Sequence, residues 1–196
     1  MKCTIISGRN GSGKTGILLS KLQKTTDNLV VTTDPAVIYI EMYMARNNIP
    51  GRCVGISSLA KILAEDIGIV SLKESSKEIE MAIIGKILNE EKLSFSERSY
   101  NTGLINKLYS FITECKEANI SPAELMDISK DVYASLSTKL DDISKIYNRF
   151  NDLLKENGYI TRNDLELYVS NNLKGKTLSF SHVYIDTLDR YNTNTI

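Results

Sequence analysis

Apolar residues along the chain follow two different spacings, and the change between them divides the sequence. Short β-branched and apolar runs at residues 3–7, 28–33, 52–56 and 181–186 predict buried strands of a parallel sheet. Apolar residues at helical spacing follow each of the first three runs, whereas the pattern of residues 72–173 predicts helices almost throughout. We therefore predict an α/β fold in which residues 1–71 and 174–196 form a domain with a parallel sheet, interrupted by a large all-helical insertion at residues 72–173.

Capping residues predict where the helices of the first part begin. Asp34 as N-cap, with Pro35 at the first helical position, starts a helix that reaches about Asn47. Ser57 or Ser58 can cap the helix that follows the third run. Each of these helices starts directly after a predicted strand, as the crossover connections of a parallel sheet require.

Similar signals predict the helices of the insertion. Capping boxes at Ser75–Glu78 and Ser121–Glu124 start two of them. A long helix is predicted from about residue 131 to residue 157, and Gly158 follows its end. The apolar face of this helix, which includes Leu136, is expected to point into the core. The insertion is therefore expected to have a helical core of its own.

A glycine-rich loop follows the first predicted strand and matches the Walker A pattern GxxxxGK[ST] without departure. Its glycines let successive backbone N–H groups close around phosphate oxygens, and the helix that begins at Lys14 adds its dipole. The Lys14 ammonium can reach the β and γ phosphates, and the Thr15 hydroxyl can bind Mg²⁺. We expect the nucleotide to be bound by Gly8, Arg9, Asn10, Gly11, Ser12, Gly13, Lys14, Thr15 and Gly16.

An acid ends the last predicted strand. Because the carboxyl ends of parallel strands meet at one edge of a sheet, Asp186 is the Walker B candidate, holding Mg²⁺ through a water and forming a catalytic pair with Lys14. Hydrolases commonly carry a glutamate next, but here residue 187 is threonine and Asp189 is the only nearby acid. His182, at the start of the same strand, is expected to be structural or solvent-facing.

Composition excludes several other classes of protein. Lys plus Arg (24) equals Asp plus Glu (24), so DNA binding would need a local basic face. Cys3, Cys53 and Cys115 are far apart and have one histidine to accompany them, which argues against an iron–sulfur or zinc site and predicts buried thiols. No run of about 18 apolar residues and no leader pattern occurs, so we expect a cytoplasmic protein without a membrane segment.

Several further segments carry a family resemblance through their order and spacing: Gly8–Thr15, Ile56–Ala60 with Ile62–Leu63, Phe111–Lys116 leading to Ile120–Pro122, Lys139–Ile143 with Ile146–Tyr147, Tyr159–Thr161 and Val183–Asp186. With these segments the chain resembles the N-terminal region of superfamily 1 helicase-like proteins. Within that group it is most similar to the B subunit of the bacterial AddAB ATP-dependent helicase-nuclease. The likeness spans nearly the whole chain, although the Walker A loop is its specific motif.

The resemblance implies a RecA-like P-loop NTPase domain interrupted by a helical subdomain, with ATP and Mg²⁺ as cofactors. It also implies DNA and a helicase-nuclease subunit as partners in processing double-stranded ends for recombination and repair. It places Thr32, Thr33, Ser57 and Ser58 at loops that face single-stranded DNA, although helix caps and turn residues have the same composition. The nuclease domain of that family carries an iron–sulfur cluster. This chain lacks the cysteines that would bind such a cluster, so no nuclease centre is expected in it.

The resemblance also bears on hydrolysis of ATP. Active superfamily 1 helicases carry Asp-Glu where this chain has Asp186-Thr187, and their second RecA-like domain supplies an arginine finger. Loss of the finger alone lowers the rate by on the order of 10³ to 10⁵, so we expect weak hydrolysis by this chain alone. Two alternatives stay open at this point: a small-molecule or nucleotide kinase of the P-loop class, and a catalytically silent ATP-binding interaction module.

Overall fold

The computed structural model describes residues 4–69, 73–91, 93 and 102–186. The chain divides into two compact units. The first unit comprises Met1–Val70 and Asn171–Ile196, and the second comprises Ser71–Ser170.

The first unit contains a small parallel sheet of three strands. Strand β1 (Asn28–Thr32) lies between β2 (Gly51–Gly55) and β5 (His182–Ile185), and all three are parallel. In the register, Asn28 pairs with Gly51 and His182, while Thr32 pairs with Gly55 at the other end. The mixed α/β class and three of the predicted strands are therefore confirmed.

The first predicted strand is wrong for the residues that the structure describes. Thr4–Ser7 form no regular strand, and Ile5 is 78% exposed. Cys3 lies outside the described residues. A run of β-branched residues becomes a strand only where a neighbour takes up its backbone hydrogen bonds, and this segment has no ladder partner among the described residues.

Helices cover both faces of the sheet, because alternate residues of β1 point to opposite sides. On one face Val30 packs in a cluster with α1 (Lys14–Ser20) and α2 (Val37–Arg46). On the other face Leu29 and Val31 pack against α3 (Leu59–Asp66). All five residues of β1 are buried, as expected for the central strand of a covered parallel sheet.

The predicted caps at the start of α2 and α3 need correction. Asp34 is not an N-cap: it begins a 3₁₀ turn, Asp34–Ala36, that precedes α2. Its carboxylate instead accepts a hydrogen bond from the Ser57 hydroxyl, and no side chain caps the 3₁₀ turn. Ser58 occupies the N-cap position of α3 without a capping side-chain hydrogen bond. Tertiary contact between the two loops replaces local capping here.

The second unit consists mainly of helices, three of which enclose an apolar core. Its helices are α4 (Lys77–Glu90), α5 (Thr102–Glu117), α6 (Pro122–Ser129), α7 (Ala134–Glu156) and α8 (Arg162–Asn172), the last of which ends beyond the boundary of the unit. Ile84, Ile112 and Phe150 are almost fully buried in that core. The capping box at Ser121–Glu124 is confirmed, with both reciprocal hydrogen bonds present.

Three expectations for the helical region are corrected. The region is not all-helical, because β3 (Lys73–Glu74) and β4 (Tyr159–Ile160) form a short parallel pair. Ser76, not Ser75, caps α4, since the Ser75 hydroxyl donates to the buried Glu80 carboxylate at 2.6 Å. Leu136 is 46% exposed, because the first turn of α7 lies beyond the apolar core.

Two of the three cysteines lie within the described residues. Cys53 and Cys115 are buried free thiols, as predicted. Burial raises the pKa of the Cys53 thiol to about 12, and the Glu41 and Asp186 carboxylates add to the effect. Within the described residues, no helix is both long and apolar enough to cross a membrane.

Candidate nucleotide site

The glycine-rich loop adopts the backbone conformation that its glycines permit. Gly11 and Gly13 have φ of +76° and +80°, in the left-handed region where other residues are strained. Gly8 has a different constraint, since a Cβ at that position would lie 2.6 Å from the Ser12 Oγ. The loop is solvent-exposed and ends at Lys14, the first residue of α1.

The Lys14 ammonium folds back over this loop. Its Nζ donates hydrogen bonds to the Gly8 carbonyl at 3.0 Å and the Arg9 carbonyl at 2.9 Å. The positive charge is therefore held at the backbone carbonyls of the loop, in an exposed position.

Thr15 and Asp186 meet, although 171 residues separate them in sequence. The Thr15 hydroxyl donates to the Asp186 carboxylate, with Oγ1 at 3.2 Å from Oδ1 and 3.1 Å from Oδ2. The Asp186 backbone N–H donates to the Val31 carbonyl at 2.9 Å, which holds the residue beside the end of β1. A hydroxyl and a carboxylate are the hard oxygen donors that Mg²⁺ prefers, so the residues present fit this ion. Thr187 and Asp189 lie outside the described residues.

Thr32 belongs to the same group of side chains, which the sequence did not predict. The resemblance assigned it to a DNA-facing loop, but Thr32 is 0% exposed and its Oγ1 lies 3.5 Å from the Asp186 Oδ2. The structure therefore gives no support for a DNA contact by Thr32 and places its hydroxyl on the candidate Mg²⁺ residue. A hydroxyl at the end of an apolar, buried strand was the available signal in the sequence.

The other three candidate DNA-contact residues lie on loops at the same edge of the sheet. Thr33 follows β1, and Ser57 and Ser58 follow β2, whose ends are paired in the register. Ser57 donates to the Asp34 carboxylate, and this carboxylate lies against Gly55, where a Cβ would force the Asp34 side chain to shift. Asp34 is exposed, so this edge carries a negative charge beside the hydroxyls.

The opposite edge of the sheet has a different character. His182 is exposed at the start of β5, where its Nδ1 contacts the Thr26 Oγ1 at 3.1 Å, in agreement with the solvent-facing role expected for it. Asn28 is fully buried, and its carboxamide bonds to backbone groups of Gln23, Thr26 and Pro50. The candidate site residues Lys14, Thr15 and Asp186 thus share the carboxyl edge, and His182 lies apart from them.

These features define the chain as a mixed α/β protein with a small parallel sheet and a Walker A sequence motif whose threonine touches the acid after β5. A family model described as "ADDB, N-terminal" matches residues 42–196. The chain therefore belongs to the AddB N-terminal family. The Walker A motif precedes the part that this model covers.

Curated relatives agree with this family. The B subunit of the ATP-dependent helicase/deoxyribonuclease of Clostridioides difficile strain 630 is 28% identical over 214 residues, which cover 99% of this chain and 18% of that protein. The protein of the same name from Listeria innocua is 29% identical over 199 residues (95% and 17%), and that of Caldanaerobacter subterraneus is 28% identical over 195 residues (92% and 17%). The chain spans less than a fifth of the length of these relatives.

Proposed function

We propose that the first unit is a RecA-like P-loop module that binds a Mg²⁺-nucleotide, with ATP as the ligand. The observation that carries this proposal is the hydrogen bond between the Thr15 hydroxyl and the Asp186 carboxylate. It joins the end of the Walker A motif to the acid after a neighbouring parallel strand. That is the arrangement in which one hydrated Mg²⁺ can contact both side chains and the nucleotide phosphates.

Each residue then has a defined task. Backbone N–H groups of Gly8–Gly13 bind phosphate oxygens, since the left-handed Gly11 and Gly13 shape a concave loop. Lys14 leaves the Gly8 and Arg9 carbonyls and pairs with the phosphates, to which it contributes a full positive charge. Thr15 and Asp186 would hold the hydrated Mg²⁺, which would neutralise part of the phosphate charge when bound.

We further propose that the chain is the N-terminal part of a subunit of a helicase-nuclease complex that processes DNA ends. The family and the names of the relatives support this proposal. A partner helicase-nuclease subunit and DNA are then the expected partners. Thr187 in place of a glutamate supports binding of ATP with weak hydrolysis, so the module acts through nucleotide binding more than through turnover.

Nucleotide titration of matched lysine variants tests the binding proposal. We expect Lys14→Ala to weaken binding of a fluorescent ATP analogue with Mg²⁺ by about 10- to 100-fold, because charged hydrogen bonds to phosphate are lost. Lys21→Ala is the control: it removes an exposed lysine at the other end of α1 and should bind as the wild type does. A Lys14→Ala protein that binds as tightly as the wild type would falsify the assignment of the loop.

A second set of assays separates the alternatives for activity. ATP hydrolysis is measured with and without single-stranded DNA, and stimulation by DNA supports the helicase-like module. Nucleotide binding without hydrolysis under either condition supports the silent interaction module, and phosphate transfer to a small acceptor supports the kinase. If the chain binds DNA through its phosphates, affinity should fall steeply with salt, and a flat salt response contradicts such binding.

A further inference from the structure

The last residue of β1 carries a hydroxyl into a fully buried position. Thr32 is 0% exposed and follows three buried apolar residues, Leu29–Val31. Valine has nearly the same shape and suits a buried strand at least as well, so strand formation does not explain the hydroxyl. Buried hydroxyls are retained with a hydrogen-bond partner, and the partner therefore indicates what the group does.

Alternation along β1 shows which side this hydroxyl faces. Val30 packs with Leu18 and Leu19 of α1, and residues two apart on a strand point to the same face. Thr32 therefore faces the α1 side, where its Oγ1 lies 3.5 Å from the Asp186 Oδ2. The Thr15 hydroxyl lies 3.1 Å from the same oxygen. Two hydroxyls from different elements thus meet one carboxylate.

The backbone of Asp186 is held independently of its side chain. Its N–H donates to the Val31 carbonyl at 2.9 Å, which fixes the main chain beside the end of β1. With the main chain fixed, the rotamer of the carboxylate depends on its side-chain contacts. Thr32, being part of the central strand, provides a rigid contact, whereas Thr15 belongs to a helix that follows an exposed loop.

We infer that Thr32 is a positioning residue that orients the Asp186 carboxylate toward the Mg²⁺ of the bound nucleotide. This inference rests on the proposed function and adds a residue to its metal site. The Thr32 hydroxyl donates to Oδ2, which favours one rotamer of the carboxylate, the one that would hold a hydrated Mg²⁺. Partners of this kind commonly change metal affinity by about 10- to 100-fold without touching the metal.

The test is a Mg²⁺ titration of nucleotide binding by the 196-residue chain, with a fluorescent ATP analogue at fixed concentration and an EDTA baseline. We expect Thr32→Val to need about tenfold more Mg²⁺ for half-maximal binding, with binding in EDTA unchanged. Thr32→Ser keeps a hydroxyl and should restore most of the wild-type Mg²⁺ dependence. Thr32→Ala lacks the hydroxyl and also the methyl group that valine has in its place, so it should behave as Thr32→Val does. It replaces Thr32→Val in the test if the valine variant does not fold.

Thr26→Val is the matched control, because it removes a threonine hydroxyl at the opposite end of the β1–β5 pair, beside His182. It should leave the Mg²⁺ midpoint unchanged. Equal Mg²⁺ midpoints for Thr32→Val and Thr26→Val overturn the inference. If Thr32→Val loses as much nucleotide binding in EDTA as it does with Mg²⁺, the role of Thr32 is structural, and the inference is overturned as well. If the wild type binds nucleotide and Lys14→Ala does not, while Thr32→Val has a normal midpoint, the proposed function stands and only this inference fails. If the wild type binds no nucleotide, both fail.

Discussion

The two ends of strand β1 both carry buried polar side chains, but the groups around them differ. At the amino end, the Asn28 carboxamide accepts from the Gln23 N–H and donates to the carbonyls of Gln23, Thr26 and Pro50, at 2.7 to 3.1 Å. At the carboxyl end, Thr32 meets a carboxylate, Asp186, that is partly exposed. The amino end is closed by backbone groups, whereas the carboxyl end is built from side chains that a ligand can reach.

This difference separates stability from function within one strand. The Asn28 carboxamide is buried and bonds to several backbone groups at once, so the amino end is costly to change. The Asp186 carboxylate and the Thr15 hydroxyl belong to partly exposed residues and can exchange partners at little cost, as a binding site must, although Thr32 itself is buried.

The largest effect is expected at the amino end. Asn28→Ala removes the carboxamide that bonds to Gln23 and Thr26, while the Pro50 carbonyl keeps its hydrogen bond from the backbone N–H of residue 28, so the free energy of unfolding should fall by about 2–3 kcal/mol. Urea unfolding measures this change. Asn47→Ala is the control, because this exposed asparagine donates to the Tyr43 carbonyl within its own helix and should change stability by less than about 0.5 kcal/mol. Equal losses in the two variants would contradict the structural role of Asn28.

A smaller effect on stability is expected at the carboxyl end. Asp186→Asn keeps an oxygen that accepts from Thr15 and Thr32 but removes the charge, so the free energy of unfolding should change by less than about 1 kcal/mol without nucleotide. The Mg²⁺-dependent part of nucleotide binding should be lost, because a neutral amide binds Mg²⁺ poorly. Urea unfolding and the Mg²⁺ titration measure the two quantities. If Asp186→Asn unfolds as readily as Asn28→Ala, the distinction between the two ends is wrong.

The smallest effect is expected for a buried acid of the helical unit, and it depends on pH. Burial raises the pKa of Glu80 above its ordinary value of 4.5, although the hydrogen bond from Ser75 opposes the shift. A raised pKa in the folded state means that the contribution of Glu80 to stability is present at low pH and is lost as pH rises through that pKa. Glu80→Gln should therefore match the wild type at about pH 4 and be more stable at about pH 8.

Urea midpoints across this pH range measure the gap between Glu80→Gln and the wild type. Glu78→Gln, on the same helix, is the control with the opposite sign. The hydrogen bond from Ser76 lowers the pKa of Glu78, so its contribution is present at neutral pH and is lost as pH falls. A gap for Glu80→Gln that does not vary with pH would show that its carboxyl titrates as an exposed one does.

Local patterns predicted much of the fold because strands and helices that bury a face must repeat apolar residues at fixed spacing. The runs at residues 28–33, 52–56 and 181–186 are strands for that reason, and Ser121–Glu124 caps its helix through contacts within one turn. The run at residues 3–7 failed because pairing depends on a neighbouring strand, which the run itself does not specify.

The same division applies to the candidate site. By itself the sequence determined the loop of Gly8–Thr15, because the motif is contiguous and its chemistry is local. Only the tertiary structure decided that Thr15 touches Asp186, that Thr32 joins them and that Asp34 takes the Ser57 hydroxyl instead of capping a helix. The physical reason is that hydrogen bonds between side chains depend on where strands β1, β2 and β5 end beside each other, and the packing of the sheet fixes those positions.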